Sequence, residues 1–84
     1  MLKAFSIFDN QTNVFHQPFF VEHHQVALRY FVSLCRDEKS DICKFPAAFN
    51  LFELGSFDDA SGEFLALEHK INHGLASAYI NQEK

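Results

Sequence analysis

The chain has no tryptophan, and only two prolines, three glycines and two cysteines in its 84 residues. So few breakers leave little room for long irregular segments, and there are no internal repeats or low-complexity stretches. Two cysteines, Cys35 and Cys43, do not make a disulfide framework, so a reducing cytoplasm is the expected compartment. No stretch approaches about 18 uninterrupted apolar residues, which predicts that nothing spans a membrane. The opening Met1 to Asp9 meets an acid too early, and lacks a small-residue cleavage site, to read as a signal peptide. Positive charge is scarce too: seven Lys and Arg stand against eleven Asp and Glu, for a net charge of −4. A general nucleic-acid coat takes its affinity from many cation–phosphate contacts, so this balance excludes that class and leaves room only for a local basic patch.

What the chain has in excess is phenylalanine, eleven residues of it. A single domain of this length has no room for a second and buries only about two-thirds of its unfolded surface, for a stability of ~4–12 kcal/mol. Eleven rings, each removing roughly 150–250 Å² from water when buried, exceed what such a core needs. Some are therefore expected at an intersubunit or ligand surface, and a homodimer is the economical expectation.

Along the chain, residues 2–8 alternate and are rich in β formers, with Lys3, Phe5 and Ile7 on one face and Ala4, Ser6 and Phe8 on the other. A polar turn at 9–13 leads to a second extended run, Val14 to Val21, interrupted by Pro18, which donates no ladder hydrogen bond and marks an edge or an end. From about His23 to Asp37 the period becomes helical, through Ala27, Phe31, Leu34 and Cys35, with Arg29 and Arg36 on the opposite side. His23 stands where Ser or Asp usually caps a helix. A charged connection closes at Pro46. The third strand, Phe49 to Phe57, is apolar on both faces, with Phe52 and Leu54 on one side and Phe49, Leu51 and Phe57 on the other. A turn from Asp58 to Gly62 joins it to a fourth strand over Glu63 to Glu68. Helical spacing then returns at Ile71, Leu75, Ala78 and Tyr79, a helix weakened by Gly74. The order β-β-α-β-β-α predicts an α+β domain: one antiparallel four-stranded sheet with helices on one face.

Candidate chemistry is sparse. His69 and His73 are four apart and would share a helix face as metal ligands do, with His23, His24 or Cys43 as a third ligand, but surface His pairs are common. Cys35 and Cys43 lack zinc spacing, so burial is the expected role of Cys35. Asp58, Asp59 and Glu63 lack the ligand order of a calcium loop and read as a solvated hairpin tip. There is no phosphate loop, nucleophile elbow or paired-carboxylate motif, so neither an enzyme nor a cofactor is expected. Single-stranded nucleic acid binding remains, because it needs aromatic platforms and few cations. Phe15, Phe19 and Phe20 beside Pro18 could be exposed rings, and Lys3, Arg29, Arg36, Lys44 and Lys70 could supply charge. The competing reading places the rings in a core or dimer interface.

Lys3, Pro18-Phe19, Ala27-Leu28-Arg29-Tyr30-Phe31, Pro46, Phe49, Leu51-Phe52, Leu54-Gly55-Ser56-Phe57-Asp58 and Gly62 follow one another in an order covering residues 2–64. This order resembles the small nonstructural protein of gokushovirus-type microviruses, phages with circular single-stranded DNA genomes. The family pattern carries a polar helix cap where this chain has His23 and His24. The resemblance implies a viral protein made in the bacterial host cytoplasm and absent from the capsid. It would bind single-stranded DNA or assist its synthesis and packaging. Arg29 lies inside a matched motif and is the first expected DNA contact, followed by Lys3 and Arg36, with Phe19 and Phe20 as ring contacts. The alternative is an adaptor that recruits a phage or host replication or assembly protein without touching DNA, through an apolar surface or a sheet edge.

Overall fold

The alternating run at the start forms β1 (Leu2–Asp9), which in the computed structural model, describing residues 1–80, carries neighbours on both sides. On one side it pairs antiparallel with β4 (Phe49–Asp58), which in turn pairs with β5 (Glu63–Leu75). On the other side lie two short strands, β2 (Val14–Phe15) against Phe8 and Asp9, and β3 (Phe19–Val21) against Lys3 to Phe5. The described residues thus form an α+β fold with a five-stranded antiparallel sheet and three α-helices.

The expected four strands become five because the run 14–21 does not hold together as one. Pro18 cannot donate to the ladder, so the chain leaves β1 after Phe15 and rejoins it at Phe19. The gap is pinned by the His16 amide donating to the Ile7 carbonyl (2.8 Å) and the Ser6 hydroxyl donating to the His16 carbonyl (2.6 Å).

The helix α1 (His24–Arg36) follows the expected boundaries closely. His23 does the work of the missing Ser or Asp: its Nδ1 accepts the Gln25 amide at 3.1 Å, satisfying one of the unpaired N–H groups of the first turn. A short α2 (Asp41–Lys44), capped by the Ser40 hydroxyl, and a 3-10 turn at Pro46–Ala48 fill the charged connection. The apolar side of α1 (Ala27, Phe31, Cys35), Ile42 of α2 and Ala76 of α3 (Ala76–Ile80) pack together on Phe5, Ile7, Phe49 and Leu51. This is the core. Phe5, Phe31 and Leu51 are fully buried in it, each contributing roughly 1.5–3 kcal/mol by apolar burial.

Two expectations about the second half are corrected. The helix expected from Ile71 is strand as far as Leu75, paired through Phe52–Asn72 and Asn50–Leu75. Gly74 has a φ of +114°, which no right-handed helix accommodates, and the Asn72 side chain accepts its amide at 2.8 Å. Only after that kink does α3 begin. The second correction concerns the faces of β4. Leu54 is an extra residue between the pairs Ala4–Gly55 and Phe5–Glu53, a bulge that reverses the alternation. Phe57 therefore shares a face with Phe52 rather than with Leu51. β5 has a larger irregularity, with Leu67 to Lys70 arching out between the pairs Gly55–Ala66 and Glu53–Ile71.

Candidate nucleic-acid interface

The helices cover the sheet face that carries Phe5, Ile7 and Leu51. Register assigns the opposite face to Ala4, Ser6 and Phe8 of β1, Phe15 of β2, Phe20 of β3, Phe52, Gly55 and Phe57 of β4, and Phe64 and Ala66 of β5. Six phenylalanines thus lie on the side without helices. None of these six belongs to the hydrophobic cluster beneath the helices.

The rings form two groups. Phe8, Phe15 and Phe52 meet at centroid distances of 4.6, 5.6 and 5.4 Å, two of the three contacts edge to face. Phe20 leans on Phe57 at 5.5 Å, and Phe64 is the register partner of Phe57. Edge-to-face and tilted packing suits the ring quadrupole and leaves ring surface open to the outside. Between and beneath the groups lie small residues, Ala4, Ser6 and Gly55, which are buried although no helix lies above them. The His16 carbonyl meets the Ser6 hydroxyl, and the β5 backbone at Leu65 and Ala66 crowds Gly55. Phe15, Phe20 and Phe64 remain 37%, 43% and 48% exposed, so the ring layer is only partly withdrawn from water. The arch in β5 brings Lys70 to the same place, its Nζ 6.0 Å from the centroid of Phe15. A polar ladder closes one end: Asn10 Nδ2 donates to Asn50 Oδ1 (3.0 Å) and Asn50 Nδ2 to Asn72 Oδ1 (3.3 Å).

The five residues expected to contact DNA do not share one surface. Phe20 lies on the ring face. Phe19, one residue along the strand, points to the helix side, where it stacks with Phe5 at 6.1 Å and meets Tyr30 edge to face at 5.0 Å. Lys3 is also on that side, with Nζ 3.5 Å from Glu53 Oε2. Arg29 and Arg36 are exposed on α1 and line a groove with Gln25, Leu28, Val32, Ser33 and Tyr79. The sheet separates that groove from the rings. Phe8, Phe52, Phe57 and Phe64 make up most of the open face and are not among the expected contacts, whereas Lys70 is one of the expected sources of charge. For Phe57 and Phe64 the hidden signal is the Leu54 bulge, which simple alternation misplaces.

The histidines take other roles. His69 and His73 lie on β5, not on a helix, and among the described residues no group of three or more His, Cys, Asp or Glu is placed to hold a metal ion. His73 Nε2 lies 3.0 Å from Glu53 Oε1, so Glu53 is held between His73 and Lys3. His24 stacks on His73 at 6.2 Å and on His23 at 4.9 Å. Burial pushes the Cys35 thiol up, with Cys43 adding to the effect, so Cys35 behaves as an inert core residue. At the hairpin tip the Ala60 amide donates to Asp58 Oδ1 (3.0 Å) and, with Ser61, holds that carboxyl below the usual range.

The fold and this face define a small α+β protein that is covered by helices on one side and faced with rings on the other. The chain belongs to the phage ORF5 protein family, whose model matches residues 2–78. No curated protein and no solved structure matches the chain.

Proposed function

We propose that this phage protein binds single-stranded DNA on the helix-free face of its sheet, with bases stacked on the two phenylalanine groups. The observation that carries the reading is the half-exposed ring layer with Lys70 beside it. Every base has a π-face, and stacking on an aromatic side chain contributes ~1–3 kcal/mol per base without demanding a sequence. A sheet face offering several rings suits an unpaired strand and not a duplex, whose bases are already stacked. Family membership places the chain among phage proteins, and the resemblance to gokushovirus-type nonstructural proteins supplies the setting: a single-stranded genome to be synthesised and packaged inside the bacterial host.

Fluorescence anisotropy with a labelled oligothymidylate of about 12 nucleotides tests this. Phe15→Ala and Phe52→Ala should each weaken binding by roughly 5- to 100-fold, and Arg29→Ala by much less. With Lys70 as the cation at the rings, log K should fall with log salt at a slope of about −0.7, the value for one phosphate on a single strand. No binding at ~50 mM salt, or full binding by both Phe variants, removes the proposal. The adaptor reading has its own supporting observation, an exposed ring on another part of the molecule.

A further inference from the structure

Phe45 is 61% exposed, more than any other phenylalanine or tyrosine in the described residues, and it makes no ring contact among them. It sits at the junction of α2 and the 3-10 turn, where the backbone is neither helical nor extended (φ −132°, ψ 66°). It forms one wall of a cleft of about 570 Å³ whose apolar lining continues through Pro46, Ala47, Ala48 and Phe49. The polar rim consists of Asp9, Gln11 and Asp41. Neither carboxylate has an ion-pair partner among the described residues. Asp9 Oδ1 accepts the amides of Gln11 (2.9 Å) and Thr12 (3.4 Å), which fixes its position, and Asp41 stands in the first turn of α2.

We propose that this cleft docks a segment of a partner protein that presents a bulky apolar side chain flanked by lysine or arginine. The apolar lining takes the side chain, as recognition pockets do, and removing Phe45 from water supplies a gain that its exposed position forgoes. The two unpaired carboxylates select the flanking charge. They attract a cationic segment and repel an acidic one, and they repel phosphate, so the cleft is not an extension of the path proposed for DNA. The site is independent of the DNA reading, and either can fail while the other stands.

The probe is the peptide acetyl-Gly-Lys-Phe-Leu-Lys-Gly-amide, titrated into nitrogen-15-labelled full-length protein, with a twin peptide carrying Glu in place of both Lys. Amide shifts should gather at residues 9–11 and 41–49, and the Lys peptide should bind at least about 10-fold tighter than the Glu twin at low salt. Phe45→Ala should weaken the Lys peptide by about 10-fold or more, and D9N with D41N should bring the two peptides within about 2-fold of each other. Unchanged spectra away from the cleft show that these surface variants are folded. Equal binding of the two peptides, no saturation by ~1 mM, or shifts gathering on the ring face overturns the proposal. Two further outcomes overturn it as well. An oligonucleotide that moves the cleft amides makes the cleft part of a DNA path. Shifts there that depend on protein concentration alone make the occupant a second copy of the chain.

Discussion

Replacing Gly55 by alanine should cost far more than its single methyl suggests. Gly55 lies between β1 and β5, paired with Ala4 on one side and Ala66 on the other. A Cβ there would come to 2.2 Å from the Leu65 carbonyl oxygen, 2.9 Å from the Ala66 Cα and 3.1 Å from the Leu65 carbonyl carbon. All three are backbone atoms, so no side chain can swing away, and β5 must retreat by about 1 Å to reach ordinary contact. A retreat of that size stretches ladder bonds of about 2.9 Å beyond hydrogen-bond range. Losing two of them costs roughly 1–3 kcal/mol, and the residual strain of an overfilled site adds about 1–3 kcal/mol. The lower entropy of an unfolded alanine returns about 0.4–1 kcal/mol. The net loss is about 1–5 kcal/mol, centred near 3 kcal/mol, out of a total of ~4–12 kcal/mol for a chain this long. Urea unfolding followed by circular dichroism should show the midpoint falling by about 1–3 M. The internal control is Gly62, with φ +82° and nothing within 4 Å of a Cβ, where alanine pays only the left-handed backbone cost of about 1–2 kcal/mol. A Gly55→Ala protein as stable as Gly62→Ala would refute the claim that strand spacing is fixed at this point.

Glu53→Gln should lower stability by about 1–2 kcal/mol in urea unfolding, because it removes the carboxylate shared by Lys3 and His73 and leaves the Lys3 ammonium without its partner. Tyr79 donates its hydroxyl to the His73 carbonyl, and burial pushes its pKa up. A raised folded pKa means that its contribution is full below the unfolded value of about 10 and is lost as pH rises through the folded value. Tyr79→Phe should therefore cost about 1 kcal/mol at neutral pH and flatten the alkaline fall in stability, read from urea midpoints at a series of pH values. Deleting Leu54 removes the bulge that keeps Phe57 and Phe64 beside Phe52. The variant should lose about 1–3 kcal/mol and bind oligothymidylate more weakly, and unchanged anisotropy would separate those two rings from the ligand surface.

Much of the first half of the fold was legible because its signals are local. Alternation placed β1 and assigned its faces correctly, and the apolar stripe through Ala27, Phe31 and Cys35 placed α1. Pro18 marks an edge or an end in the sequence, and β2 and β3 do form an edge of the sheet, which Pro18 divides in two. The end of the chain misled because Ile71, Leu75, Ala78 and Tyr79 happen to fall at helical spacing. Pairing with β4, a tertiary effect, carries the strand as far as Leu75. The candidate site was legible only as a surplus: eleven phenylalanines signalled a ring surface but not which rings form it. Which rings gather depends on the Leu54 bulge and on the arch that brings Lys70 to Phe15, and neither leaves a residue-type signature.

The arch at Leu67 to Lys70 has a consequence for whether copies of this chain can add to one another edge to edge. β5 is an outer strand of 13 residues carrying Leu65 and Ile71 at 53% and 44% exposure, the profile of a seed for fibre growth. Four residues lifted out of the ladder, among them Glu68 and Lys70, split that row into two short stretches that cannot be matched at once by a second straight strand. On the far side of the sheet, Pro18 divides the other boundary in the same way. A sheet interrupted at both margins offers no continuous template for edge-to-edge addition, at concentrations where an unbroken sheet of the same composition would grow into filaments.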